Sequence, residues 1–436
     1  MKKVLILTYY WPPSGGAGVQ RWLKFVKYLR EFNWEPVVYT ALNGEIPVID
    51  HSLEKDIPKG ITVLKTPIWE PYNFYKKFSG RKKEDKINAS FLNENKKAGL
   101  AEKISVYIRG NYFIPDARKF WIKPSIQFLS DYLNKNKIDY IISSGPPHSM
   151  HLIALGIKEK FPNIKWLADF RDPWTNIDFY EKLMLSKRAD RLHHEMELKV
   201  LMNADCVLSI GQAMSEEFKE MYLKAGGKNK DKFKVITNGF DEEVSEELKV
   251  IPDAKFTMAH IGTLVKDRNP EILWRVLKEL ISENIEFEKK FELKLVGKVD
   301  ISVMEDLEKF GLKKYLNKID YLPHDQVILE QKKSAVLLLL VNNTKNAKGI
   351  LTGKFFEYMA SGRPVLAIGP VNGDLAEIIK ETSCGYISNF DDVVSLKKNI
   401  LELFENRNVP SSNGNIQKYS RKSLTGKLAE VLNNIL

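Results

Sequence analysis

Short runs of Val, Ile and Leu alternate along this chain with longer amphipathic stretches, the pattern of repeated strand–helix units feeding a parallel sheet. In the first half the runs that predict strands are Val4–Thr8, Pro36–Thr40, Tyr140–Ser143, Lys165–Asp169, Cys206–Ile210 and Lys234–Ile236. After the first of them, residues 20–32 place Trp22, Phe25, Val26 and Leu29 at helical spacing. Residues 180–204 read as one long helix. The pattern restarts at Phe256, with strands expected at Phe256–Ile261, Glu292–Val296, Lys318–Tyr321, Val336–Val341 and Pro364–Ile368. Helices open near Pro270, Ser302, His324, Thr352 and Asp374.

Two consecutive α/β domains follow, each a doubly wound, Rossmann-like sheet, facing each other across a cleft. The total of 436 residues suits two domains of about 200 residues each. The stretch 241–254 is acidic, lacks a clear period and holds Pro252, so it is expected to link a first domain, 1–240, to a second, 255–415. A closing helix at 416–436 is expected to pack back on the first domain. Open sheets of this kind bind ligands outside the carboxyl ends of their strands.

Composition narrows the function classes. Two cysteines, Cys206 and Cys384, lie in apolar stretches, which argues against a disulfide framework or a cysteine metal site and fits a reducing cytosol. The apolar run after Met1-Lys2-Lys3 ends after Leu7, too early for a signal peptide. The longest other run, Ala335–Val341, is far short of the roughly 20 residues that cross a bilayer, so membrane contact is expected to be peripheral at most. The net charge of +11 raises nucleic acid as a partner, but most of the excess is lysine scattered among glutamates and no recognition motif accompanies it. One stretch, 75–103, is crowded with Lys76, Lys77, Arg81, Lys82, Lys83, Lys86, Lys96, Lys97 and Lys103 beside Tyr75 and Phe78. It reads either as a solvated loop or as a contact with anionic lipid head groups at the inner face of a membrane. The following segment 110–121 mixes aromatic and basic residues, as an interfacial surface does, or packs inside the first domain.

Candidate chemistry concentrates in Gly349-Ile350-Leu351-Thr352-Gly353-Lys354-Phe355-Phe356-Glu357, which follows a buried strand and opens a helix. A helix N-terminus presents unpaired N–H groups and a positive dipole end, so the turn Leu351, Thr352, Gly353, Lys354 suits a diphosphate, with Glu357 one turn further on for ribose hydroxyls. Thr352-Gly353-Lys354 is not a nucleoside-triphosphate loop, because the earlier glycine and the hydroxyl residue after the lysine are missing. In the first half, Gly15-Gly16-Ala17-Gly18 sits between strand and helix without dinucleotide spacing; it lets a ligand approach the chain or makes a tight turn. His148 and His151 follow a strand end, and Asp169, Arg171 and Asp172 end another, the latter either an Asp/Arg pair that fixes the loop or acceptor contacts. His193-His194-Glu195 lies in the helical pattern without the spacing of a zinc protease and reads as a solvated helix face.

The order of these motifs, from Pro12-Pro13-Ser14-Gly15-Gly16-Ala17-Gly18 through Ser144-Gly145-Pro146-Pro147-His148-Ser149 and Asp169-Phe170-Arg171-Asp172-Pro173-Trp174 to Ile236-Thr237-Asn238-Gly239-Phe240-Asp241, His260-Ile261-Gly262-Thr263-Leu264 and the Gly349–Pro364 stretch, resembles family 4 glycosyltransferases over nearly the whole chain. The resemblance implies the two-lobed GT-B fold and retaining transfer from a nucleotide-sugar, a UDP- or GDP-sugar, with no bound cofactor and no metal. It implies a donor site in the second domain, with Glu357 on ribose and Arg268, with Lys266 nearby, on the diphosphate. The family's earlier glutamate, on the transferred sugar, is here Gly349. Gly15 and Gly16 would lie against the donor phosphate or the acceptor, and His148 and Asp172 near the reacting carbon and an acceptor hydroxyl. The implied acceptor is a glycan or lipid-linked saccharide, as in bacterial surface polysaccharide synthesis. A sugar-nucleotide epimerase of the same fold and a non-catalytic sugar-binding partner are the alternatives.

Overall fold

The computed structural model describes residues 1–46, 48–71, 100–241, 250–320, 322–405 and 415–435. Two compact units make up the chain: Met1–Thr237 together with Arg421–Leu436, and Asn238–Ser420. The lysine-rich stretch up to residue 99 and the centre of the expected linker, 242–249, lie outside the described residues.

The first unit holds a seven-stranded parallel sheet of β1 (Lys2–Leu7), β2 (Trp34–Ala41), β3 (Thr62–Thr66), β4 (Tyr140–Gly145), β5 (Lys165–Phe170), β6 (Cys206–Ser209) and β7 (Phe233–Val235). Their order is β3-β2-β1-β4-β5-β6-β7. Side chains alternate between two buried faces: Leu5, Leu7, Val37 and Tyr39 join one core, while Val4, Ile6, Val38 and Ile142 join the other. Burial on both faces explains the unbroken apolar runs. The chain's last helix, Arg421–Asn433, completes the second of these cores, where Leu424, Leu428 and Leu432 pack with Val19, Trp22, Leu23 and Val26.

The second unit repeats the plan with six parallel strands, β8 (Phe256–Ile261), β9 (Phe291–Val296), β10 (Leu316–Ile319), β11 (Val336–Leu340), β12 (Val365–Ile368) and β13 (Gly385–Ser388), ordered β10-β9-β8-β11-β12-β13. Both sheets reverse direction once, between β1 and β4 and between β8 and β11. At such a reversal the loops leaving the two strands diverge, which opens a crevice at the carboxyl ends.

Two sequence expectations change. Edge strands β3 and β13 were not anticipated, because their side chains are mostly half-exposed and interrupt no long apolar run. The helix expected over 180–204 is broken: a short 3-10 turn, Tyr180–Leu183, ends at Met184 with φ 53°, and a separate helix, Lys187–Asn203, begins where the Ser186 hydroxyl accepts the Ala189 N–H. Residues with that left-handed backbone stop helix propagation.

Candidate functional site

In the second unit, the loops leaving β8 and β11 bring together several residues far apart in sequence. The helix Gly353–Ala360 starts at this reversal, with Thr352 as its N-cap residue and no side-chain cap, a helix start of the kind that suits an anion. Tyr358 fixes that helix: its buried hydroxyl accepts the Ile261 N–H at 2.9 Å and lies 3.3 Å from the Ile261 carbonyl oxygen. Immediately after Ile261, Gly262 has φ 119° and passes under the Lys354 ammonium; a Cβ there would lie 2.7 Å from Nζ. Only glycine serves both requirements.

Arg268 lies in the 3-10 turn Lys266–Arg268 after β8 and donates from Nε to Asn342 Oδ1 at 2.6 Å, tying that loop to the one after β11. Its charge acts on Lys354. Burial, then Arg268, lowers the Lys354 ammonium to about 8, against the opposing pull of Glu357. His260, the penultimate residue of β8, is buried and pushed down to about 3 by burial, then by the Lys354 cation; its Nδ1 lies 3.2 Å from the Leu338 carbonyl oxygen. Two cations close together at the positive end of a helix suit a phosphate group.

Of the residues expected here, Lys354, Glu357, Thr352, Gly353 and Arg268 converge on this spot. Leu351 contributes only backbone, since its side chain is 3% exposed and belongs to the core. Lys266 is exposed on the same turn. Gly349 ends a 3-10 turn, Ala347–Gly349, between β11 and the helix. Sequence reasoning gave no role to His260, Asn342 and Tyr358, whose positions depend on contacts across the sheet.

In the first unit the loops after β1 and β4 meet in the same way. Gly16 precedes the helix Ala17–Leu29 with φ 88° and ψ 176°, a conformation that glycine adopts without strain. Gly15 instead is covered by chain, since a Cβ would come 2.9 Å from Asp50 Cβ. Arg171, which follows β5, ties the first turn of that helix to the loop after β4, donating to the Gly18 carbonyl at 2.8 Å and to the Pro146 carbonyl. The expected Asp169–Arg171 pair is not formed by hydrogen bonds. Asp169, fully buried, accepts from Arg21 Nη2 at 2.9 Å, Trp22 Nε1 at 2.8 Å and Ser144 Oγ at 3.0 Å, so it locks the interior while Asp172 stays exposed.

His148 is 8% exposed and stacks on Trp174 with ring centroids 4.4 Å apart. Burial holds it well below its ordinary value, with His151, His193 and Arg171 adding to the effect. His151 faces the core, its Nδ1 2.8 Å from Ser143 Oγ. His193 is also buried, contrary to the solvated face expected for it, and its Nδ1 accepts the Trp174 indole N–H at 3.0 Å; His194 and Glu195 are exposed. Glu197, one turn on, accepts from the N–H groups of Trp174 and Thr175 and from the Thr175 hydroxyl. At the ends of β1 and β2 lies an open pocket lined in part by Tyr9, Tyr10, Trp11, Ser14, Thr40 and Lys65.

Residues 255–406 match the family model described as glycosyl transferases group 1. No curated protein matches the chain in sequence. Among solved structures, the chain is similar to a sucrose-phosphate synthase from Thermosynechococcus elongatus, with 14% identity, a TM-score of 0.59 and coverage of 100% of this chain and 99% of the other. It is similar to the lipopolysaccharide outer core galactosyltransferase WaaB in its apo form, at 13% identity and TM-score 0.57, covering 100% and 99%. It is also similar to TarM of S. aureus in complex with fondaparinux, alpha-GlcNAc-glycerol and UDP, at 13% identity and TM-score 0.58, covering 100% of both chains. At these identities the likeness is one of fold, while the family match carries the chemistry of the second unit. Residues 255–406 form a glycosyl transferases group 1 domain, and over its whole length the chain has the fold of GT-B glycosyltransferases.

Proposed function

We propose that this glycosyltransferase binds a UDP- or GDP-sugar in its second unit and transfers the sugar, with retention, to a glycan or lipid-linked acceptor handled by the first, in surface polysaccharide synthesis on the cytosolic side of a membrane. The observation that carries this reading is the Lys354 ammonium seated over Gly262 beside Arg268, at an uncapped helix N-terminus. Those groups suit a diphosphate leaving group, whose charge grows as the glycosidic bond breaks. Glu357, exposed one turn into the helix, is placed to accept ribose hydroxyls. In the first unit, His148 and Asp172 are our candidates for contacts to the sugar and the acceptor.

Lys354 and Arg268 supply the countercharge, so turnover is expected to be unchanged by chelation of divalent ions. Release of nucleotide from a panel of UDP- and GDP-sugars, with and without glycan acceptors, tests the reading. Expected are acceptor-dependent release and loss of about tenfold or more in nucleotide affinity on Lys354→Ala, as for a hydrogen-bonded charge pair. Absence of both binding and turnover with every donor would falsify it. Release without acceptor demand points to an epimerase. Binding without turnover points to the non-catalytic role that Gly349 suggests.

A further inference from the structure

Gly145 ends β4, and the helix Ser149–Lys160 begins just beyond it with His148 as its N-cap residue. Asp116 seats that start by accepting the Ser149 N–H at 2.9 Å and the Ser149 hydroxyl at 2.8 Å. His148 and His151, one turn apart, therefore share a face of the helix start. Each ring is held against an aromatic neighbour: His148 on Trp174, with planes 5° apart, and His151 on Phe170, with centroids 4.3 Å apart. Both residues are buried, and His148 Nδ1 and His151 Nε2 have no hydrogen-bond partner among the described residues. A Cβ on Gly145 would lie 2.5 Å from His151 Nε2 and 3.1 Å from His148 Nδ1. The two nitrogens thus border the same small space, which exists because residue 145 has no side chain.

The neighbours decide which of these nitrogens carries hydrogen. Ser143, fully buried, has its Oγ 2.9 Å from Trp166 Nε1 and 2.8 Å from His151 Nδ1. An indole N–H only donates, so Ser143 accepts from Trp166 and has one hydrogen of its own to give. If His151 Nδ1 also donated to Ser143, that hydroxyl hydrogen would be buried without an acceptor, an unfavourable state for any polar group. Ser143 therefore donates to His151 Nδ1, and the hydrogen of the ring sits on Nε2. Two N–H groups facing one small buried space would both go unsatisfied, so His148 presents its lone pair there and carries its own hydrogen on Nε2. Burial keeps both rings neutral around neutral pH, His151 at about 3 and His148 well below its ordinary value. What distinguishes their states is then the placement of a hydrogen and not a charge.

We infer that His151 is a positioning residue: oriented by Ser143 and Trp166, it fixes the hydrogen of His148 on Nε2, so that His148 meets a ligand as a hydrogen-bond donor and not as a base. Nδ1 is the enclosed nitrogen of His148, which leaves Nε2 as the one a ligand meets. The inference rests on the reading of His148 as a contact to the sugar or the acceptor, and it narrows the atom contacted to an ether or hydroxyl oxygen that accepts. The opposite tautomer would place a lone pair on Nε2, fit to take the proton of an acceptor hydroxyl. That task then falls to a group other than His148.

Full-length protein with isotope-labelled histidine rings is read by long-range proton–nitrogen spectra, which show which nitrogen of a neutral ring bears hydrogen. Of the seven histidines, His148 and His151 are identified by the signals lost in His148→Gln and His151→Gln. Both are expected to bear hydrogen on Nε2 at about pH 7.5. Ser143→Ala, which withdraws the hydroxyl hydrogen, should move hydrogen onto Nδ1 in part of the His151 population and shift the His148 signals with it. In nucleotide-sugar turnover, His151→Phe should lower kcat by about tenfold with little change in KM, and His151→Gln, whose amide N–H stands near the place of Nε2–H, should recover most of it. Circular dichroism melts check that each variant folds, and the wild-type spectra decide the tautomer even where one does not. His148 with hydrogen on Nδ1, His148 signals indifferent to Ser143→Ala and His151→Phe, or a His151→Phe enzyme as fast as the wild type, overturns the inference. A wild type with the expected spectra that turns over no nucleotide-sugar would instead sink the transferase reading and leave the placement of hydrogen standing.

Discussion

Buried and half-buried ionisable groups set how this molecule responds to pH. Lys354 is lowered to about 8, and a bound diphosphate favours its charged form. Nucleotide affinity should therefore be level below about 8 and weaken above it by up to about tenfold per pH unit as the free lysine loses its proton. Calorimetric titration with UDP and GDP between about pH 6.5 and 9.5 measures this; Lys354→Arg is expected to remove the break, and a wild type without one would place the phosphates elsewhere. Glu197 works on stability. Burial outweighs its three donors and raises it from 4.5 to about 7, so between those values the native chain holds a proton that the unfolded chain has released. Its contribution is full at low pH and is lost as pH rises through about 7, by at most about 3 kcal/mol. The buried histidines act the other way: His151 and His260, both near 3, leave stability to fall on acidification below about 6.5. Glu197→Gln should flatten the neutral limb of a denaturant-unfolding profile and leave the acidic limb in place.

At the scale of elements, the helix Gly353–Ala360 is useful only where Tyr358 holds it. Tyr358→Phe leaves the buried Ile261 N–H without its acceptor, a loss of about 1–3 kcal/mol, and frees the helix start from Gly262. Thermal unfolding should fall accordingly, and UDP affinity by roughly tenfold if the loss is transmitted to the phosphate turn. Destabilisation with unchanged affinity would show that other contacts seat the helix. The same element shows what a sequence makes legible. Its start was readable because glycine, a cation and an apolar period coincide within a few residues. Its anchor was not, because Tyr358 meets Ile261 across 97 positions of chain. Likewise Asp169 and Arg171 look like a pair in sequence, yet the partner of Asp169 is Arg21, 148 positions away. Central strands are readable since both faces are buried; among the half-exposed edge strands β7 and β10 overlap runs read from the sequence, while β3 and β13 do not.

At the scale of the whole molecule, the chain closes its first unit with its last helix, so the two units differ in what a C-terminal cut removes. Leu424, Leu428 and Leu432 are at most 1% exposed within the core built on Val19, Trp22 and Leu23. Fully burying one such leucine contributes about 1.5–3 kcal/mol, so losing three takes away an amount comparable with the entire stability of a domain, about 5–15 kcal/mol. A chain ending at Ser420 should keep the second unit folded and leave the first largely unfolded. Tryptophan reports the difference, because of the eight in the chain only Trp274 falls within 238–420. The milder Leu428→Ala, at about 2–5 kcal/mol, should lower the tryptophan-detected transition by roughly 5–15 °C. The calorimetric transition of the second unit should not move with it, because unfolding of two units is not one two-state event. If both transitions shift together, the last helix stabilises the chain as one cooperative body, and deletion there should weaken nucleotide binding as well as the first unit's core.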